Sequence, residues 1–267
     1  MTNQEFYSTF DTEEKCVNYI KSFYESSIKS CPKCNSNRLK WKLKYRAWRC
    51  SKCGTKTSLK SISFMRDSNK CFSDWLEIIH MLCHTKKANS IAEVHRHSKQ
   101  TRYETVYHMV QKIRNEMGRI NLNMRFHYQT KIKGLKAVKK KLNILNLYIQ
   151  QSKSNCNDHI HIELPLSRTV SLKQHFLRET QNYPYPKLRD STLKRKPVSS
   201  PPSLPIHNKH KRWLTIITEN IQKQLKGIFH FVSDKHVQGI LDEYAFKYNH
   251  RLSLDATMYH FFEEGIN

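Results

Sequence analysis

The sequence predicts an α+β, multidomain protein, and three patterns predict it. Four cysteines, Cys31, Cys34, Cys50 and Cys53, bracket a short stretch of alternating residues. Over 72–118, apolar residues recur at helical spacing behind two helix-start signals. Later the segment HIHIELPL alternates Ile160, Ile162, Leu164 and Leu166 as a strand does, and the chain closes in helical patterns.

Residues 1–28 open with Asp11 and Glu14 in capping-box spacing ahead of Cys16, Val17, Ile20, Phe23 and Tyr24, which predicts one short amphipathic helix. Block 29–60 carries the cysteines in a C-x2-C-x15-C-x2-C array. Each CxxC turn aims two thiolates at one point, and two such turns joined by a hairpin complete a closed tetrahedron around Zn²⁺. Leu39, Trp41, Leu43 and Tyr45 alternate with basic residues, as a two-stranded ribbon requires, so the block reads as a zinc ribbon. Lys33, Arg49 and Lys52 offset the surplus charge of four thiolates. The rival reading is two disulfides or four unrelated thiols. Cys16, Cys71, Cys83 and Cys156 have no such spacing; His80, Cys83 and His84 are either a second metal site or buried helix residues.

Block 72–118 starts with FSDWLEIIHML, where Trp75, Ile78, Ile79 and Leu82 form one stripe. Two capping boxes follow eleven residues apart, Ser90 to Glu93 and Thr101 to Glu104, the second opening a helix through Val106, Met109, Val110 and Ile113 to Gly118. Lys99-Gln100 leaves room only for a tight corner. Three helices with such a corner before the last make a helix-turn-helix, whose final helix enters the major groove of DNA by its N-terminal end. Lys99, Gln100, Arg102 and Tyr103 occupy that end. The alternative is a helical hairpin with solvated charges.

Charge supports the DNA reading. There are 47 Lys and Arg against 22 Asp and Glu, a net charge of +25 spread over most of the length. A double-stranded nucleic acid is the expected partner, ahead of an acidic protein or a membrane surface, because the basic residues interleave with aromatics. Residues 117–157 hold nine Lys or Arg and no carboxylate. No run of 18 apolar residues and no signal-peptide pattern occurs, so a reducing compartment is expected.

Taken in order, these features resemble an insertion-sequence transposase family of bacteria, related to the eukaryotic Merlin elements, that has an N-terminal zinc ribbon. The resemblance rests on the CPKC and CSKC knuckles, on Ser68 and Trp75, on TVYHMVQKIRNEM at 105–117, and on the closing segment from Trp213. That segment includes Gly227, His230, His236, Asp242-Glu243 and the run Tyr248-Asn249-His250-Arg251. It implies that 119–267 is a truncated RNase H-like α/β domain with a Pro/Ser loop at 194–205. In such domains, carboxylates on two strands and a Glu or Asn on a late helix hold two Mg²⁺ or Mn²⁺ ions for attack on a phosphodiester.

Carried over by position, Asn220 with Lys223 matches the helix site of the family's Asp-Asp-Asn branch, and Asp190 matches the fourth-strand ligand. Asn220 shares a helical face with Trp213, Ile216 and Ile217, which predicts an inward-pointing amide. A satisfied buried Asn and a turn Asp are the competing explanations. The first ligand belongs in the acid-free stretch, where no Asp stands; Asp158 and Glu163 are the available substitutes. The expectation is therefore a transposase-type protein that binds element ends in duplex DNA, with strand cleavage lost or impaired. Its rivals are an active transposase using a replacement acid and a zinc-ribbon adaptor that binds protein. Homodimerisation follows from the resemblance, as does location: the cytoplasmic nucleoid of a bacterium, or the nucleus of a eukaryote.

Overall fold

The computed structural model describes residues 2–122, 128–133, 144–150, 159–163, 208–228, 234–252 and 256–265. The architecture is α+β, with two three-stranded antiparallel sheets among helices. The chain divides into two compact units, Met1–Glu116 together with Ser253–Asn267, and Met117–Leu252. The stretches read from sequence as 1–28, 29–60 and 72–118 thus join in one unit up to Glu116, and the last fifteen residues of the 119–267 block belong to that unit too.

The first unit begins with two helices where one was expected: α1, Asn3–Thr9, and α2, Glu13–Tyr24. Thr2 and Glu5 form a reciprocal capping box on α1. The cap of α2 is Thr12, whose hydroxyl accepts from Lys15 N–H, and Asp11 instead pairs with the Lys15 ammonium at 2.9 Å. The ribbon has three strands: β1, Leu39–Lys42, β2, Ala47–Cys50, and β3, Lys56–Ser58, in that spatial order. The alternation expected through Tyr45 stops at Lys42. Leu43–Tyr45 wind into a 3₁₀ turn closed by Arg46 in the left-handed region, φ 47°, which leaves Leu43 and Tyr45 exposed.

Helices α3, Phe72–His84, α4, Ile91–His97, and α5, Tyr103–Leu122, follow. The expected stripe of α3 is buried throughout, as are Val106, Met109, Val110 and Ile113 of α5. Ser90 caps α4 by accepting from Glu93 N–H. Gly118 does not end α5, which continues for another turn to Leu122. The unit's core is aromatic: Phe64 meets Trp75 edge-on at 5.5 Å, and Phe261 and Phe262, from a helix spanning Thr257–Glu264, pack against Phe64 and against Tyr19 and Phe23 of α2. Burying Phe261 and Phe262, each 1% exposed, is worth about 1.5–3 kcal/mol apiece.

The second unit contains a meander, β4, Tyr128–Lys133, β5, Ile144–Gln150, and β6, His159–Glu163, in sequential order. Helix α6, Asn208–Gly227, buries Ile217, Ile221 and Leu225. Helix α7, Asp234–Asn249, packs on β6, where Gln238 donates to the Ile162 carbonyl at 2.9 Å. The Thr257–Glu264 helix completes the set as α8. A buried polar network joins α7 to the end of α5: Asn121 donates to the Asp242 carbonyl at 3.0 Å, and Asn249 donates to Asn121 Oδ1 at 3.1 Å. Beside it, Lys247 and Glu243 pair at 2.6 Å with both side chains almost fully buried.

Candidate metal centre and nucleic-acid interface

The four ribbon cysteines converge. Cys31 and Cys53 sulfurs are 3.5 Å apart, Cys34 and Cys50 sulfurs 3.6 Å, and all four lie within 4.8 Å of one another. A disulfide would bring two sulfurs to about 2.0 Å. Four ligands at about 2.3 Å from a tetrahedral ion stand about 3.8 Å apart, close to the spacing observed. The tetrad could hold a metal ion such as zinc.

The two knuckles are built alike. Asn35 N–H donates to Cys31 O and Gly54 N–H to Cys50 O, at 2.9 and 3.0 Å. Cys31 N–H then donates to Ser36 O and Cys50 N–H to Thr55 O, both at 2.9 Å. Asn35 and Gly54, the residues after each second cysteine, take the left-handed backbone, φ 53° and 73°, that residues without a branched Cβ tolerate best.

Crowded sulfurs set their protonation against one another. Hydrogen bonds with the Thr55 hydroxyl and amide draw the Cys53 thiol down to about 6, and the Cys53 and Lys52 amides lower Cys50. The Ser36 amide favours the Cys34 thiolate, but burial and the three neighbouring sulfurs outweigh it and push Cys34 up to about 12. A divalent cation at the centre removes the conflict, because it takes all four as thiolates. His80, Cys83 and His84 form no such group: His80 Nε2 bonds Asn3 Oδ1 at 3.0 Å, its ring stacks on Phe6, and Cys83 is buried.

The turn between α4 and α5 presents Lys99, Arg102 and Tyr103 to solvent. Gln100, expected with them, is only 9% exposed, since one side chain of so short a corner must face inward. Sequence reading missed how the corner is held. Glu77 of α3 is buried; one carboxylate oxygen accepts from the Tyr7 hydroxyl at 3.0 Å and the other from Lys99 N–H at 3.3 Å. The Lys99 ammonium lies 5.4 Å from the Tyr7 ring centre. The only sequence signal was a Glu on the apolar stripe of FSDWLEIIHML.

Of the residues carried over as catalytic, Asn220 and Lys223 lie among the described residues, both on α6. Asn220 is exposed, contrary to the inward direction expected: the buried stripe of α6 steps by four through Ile217, Ile221 and Leu225, leaving Ile216 and Asn220 on its edge. The Asn220 amide is within hydrogen-bond reach of the Tyr244 hydroxyl on α7. Lys223 is exposed and faces Glu219 at 4.0 Å. Asp190, Asp158, His230 and the 194–205 loop lie outside the described residues. Strand β4 reads Tyr-Gln-Thr-Lys-Ile-Lys, with no carboxylate. Among the described residues no three carboxylates gather.

Asp242 and Glu243 are engaged within α7: the first accepts from Gln238 Nε2 through Oδ1 at 2.9 Å and the second pairs with Lys247, while Arg251 stacks 4.1 Å over the Tyr248 ring. No helix among the described residues is long and apolar enough to cross a membrane. Compared with known proteins, the chain matches no family model, no curated protein and no solved structure.

Proposed function

We propose that this protein is a zinc-containing, transposase-type binder of duplex DNA whose strand-cleaving chemistry has been lost or impaired. The observation that carries the reading is the exposure of Lys99, Arg102 and Tyr103 at the start of the twenty-residue helix α5, behind a corner fixed by the buried Glu77. A helix presented by its N-terminal end, with cations at that end, suits phosphate and base-edge contacts in a major groove. The net charge of +25 supplies the long-range attraction.

Zinc is the proposed ion of the tetrad, since four soft thiolates in a closed tetrahedron leave no position for a reacting water and suit a folding role. The meander β4–β5–β6 followed by helices supports an RNase H-like second domain, and the absence of any acid on β4 supports impaired catalysis. An active transposase would need another acid at that strand.

The test uses the full chain loaded with zinc. A duplex selected from a random pool is expected to bind at least about tenfold tighter than unselected duplex at about 150 mM salt, where non-specific attraction is screened. Equal affinity for both overturns the reading. A nicking assay with Mn²⁺ or Mg²⁺ is expected to show no metal-dependent cleavage; cleavage abolished by Asp190→Ala would replace this reading with the active enzyme.

A further inference from the structure

The ribbon sheet carries an arrangement of charge that folding alone disfavours. In its register Lys40 of β1 stands opposite Arg49 of β2, and Arg49 stands opposite Lys56 of β3. Residues directly opposite project from the same face, so the three cations form a row across all three strands about 4.8 Å apart at each step. Lys42, two residues beyond Lys40, extends the row along β1 on that face. All four are exposed.

Among the described residues no carboxylate pairs with the row. From Ser26 to Arg66 the sequence holds twelve Lys or Arg and no Asp or Glu. Among the described residues, Arg46 is the ribbon cation that reaches a carboxylate, Glu13 at 2.9 Å, while Lys40, Arg49 and Lys56 carry no ion pair. Lys56 instead lies 4.1 Å over the ring of Tyr45, which is half exposed at the hairpin tip. The opposite face is occupied by the Trp41–Trp48 pair, 4.5 Å between ring centres, with the Lys21 ammonium of α2 beside Trp41. The cationic face is therefore the one turned to solvent.

Like charges placed opposite one another destabilise a sheet, and the row is intelligible if a closely spaced series of anions neutralises it. We infer that the Lys40–Arg49–Lys56 row, with Lys42, is a second DNA-contacting surface that grips the phosphate backbone without reading sequence, separate from the α4–α5 corner. This rests on the duplex-DNA reading above and adds a division of labour: the ribbon face supplies affinity, the corner supplies discrimination.

The experiment compares the full-length zinc-loaded protein with its Lys40→Gln/Arg49→Gln/Lys56→Gln variant on one selected and one random duplex, across a salt titration. Each lost phosphate contact lowers the slope of log affinity against log salt by about 0.9, so the variant's slope is expected to fall by about 2 to 3. That fall should be equal on both duplexes, with the affinity ratio between them unchanged. One bound zinc per chain and a thermal midpoint no lower than that of the parent establish that the variant is folded. An unchanged slope in a folded variant overturns the inference and leaves the DNA reading standing. A fall confined to the selected duplex overturns it as well, since the row would then read sequence. If the parent protein binds neither duplex but is captured by phosphatidylserine vesicles, the DNA reading fails and the inference fails with it.

Discussion

Glu13 caps the helix that begins at Phe72. Its carboxylate accepts Phe72 N–H at 2.9 Å and Ser73 N–H at 2.8 Å, and the same group receives Arg46 of the ribbon at 2.9 Å. Cys71 occupies the N-cap position of α3 without a side-chain bond, so the orphan amides there are satisfied from 59 residues upstream. One carboxylate thereby ties α2, α3 and the ribbon together.

Glu13→Gln keeps the shape and removes the charge. Loss of charge-assisted capping and of the Arg46 pair is expected to lower stability by about 1–2 kcal/mol in urea or thermal unfolding. A larger loss is expected for Glu13→Ala, which leaves two amides unsatisfied.

Cys34→Ser removes one thiolate from the tetrad. By elemental analysis the parent is expected to carry one metal equivalent and the variant none, and the variant's thermal midpoint should fall to that of chelator-treated parent. Metal binding by the parent should weaken as pH falls, because four thiols must release protons to bind one ion.

Gly118 lies in α5 against α7. A Cβ there would stand 2.6 Å from Asp242 Oδ2 and 2.7 Å from its Cγ, and Gln238 holds that carboxylate in place. Alanine is the better helix former by about 1 kcal/mol, yet Gly118→Ala is expected to destabilise by about 1–3 kcal/mol because the clash outweighs propensity. In an Asp242→Ala background the penalty should largely vanish, a coupling that a double-mutant cycle reads directly.

His80 is held well below the ordinary histidine range, at about 4, first by burial and then by the facing His84 and the N-terminal amine. Its folded pKa lies below its unfolded value, so the unfolded chain binds the extra proton first. The contribution is intact above about pH 6.5 and is lost as pH falls toward 4. Stability is expected to decline across that window, and less steeply in His80→Gln, measured by urea midpoints at pH 7, 5.5 and 4.5.

Legibility followed the strength of periodic signals. The CxxC pairs, the apolar stripes of α3 and α5 and the Ser90 cap could be read directly because each depends on local spacing. Helix α1 is seven residues long, too short for periodicity, and shows itself only through the Thr2–Glu5 box. The third ribbon strand, Lys56–Ser58, has no alternation to display in three residues. Gln100 and Asn220 face other ways than their positions suggest: a tight corner turns one polar residue inward, and a buried stripe stepping by four leaves Asn220 on its margin. The role of Glu77 was hidden because its partners, Tyr7 and Lys99, are distant in sequence.

The placement of Phe261 and Phe262 in the core of the N-terminal unit has a temporal consequence. A nascent chain emerging from the ribosome exposes its cysteine knuckles early, but α2 must wait for more than two hundred further residues, and α3 for more than one hundred and seventy, before their aromatic faces are covered. Nascent chains stalled just before Ser253 should remain open to protease around Phe23 and Phe64, whereas release of the tail should close them.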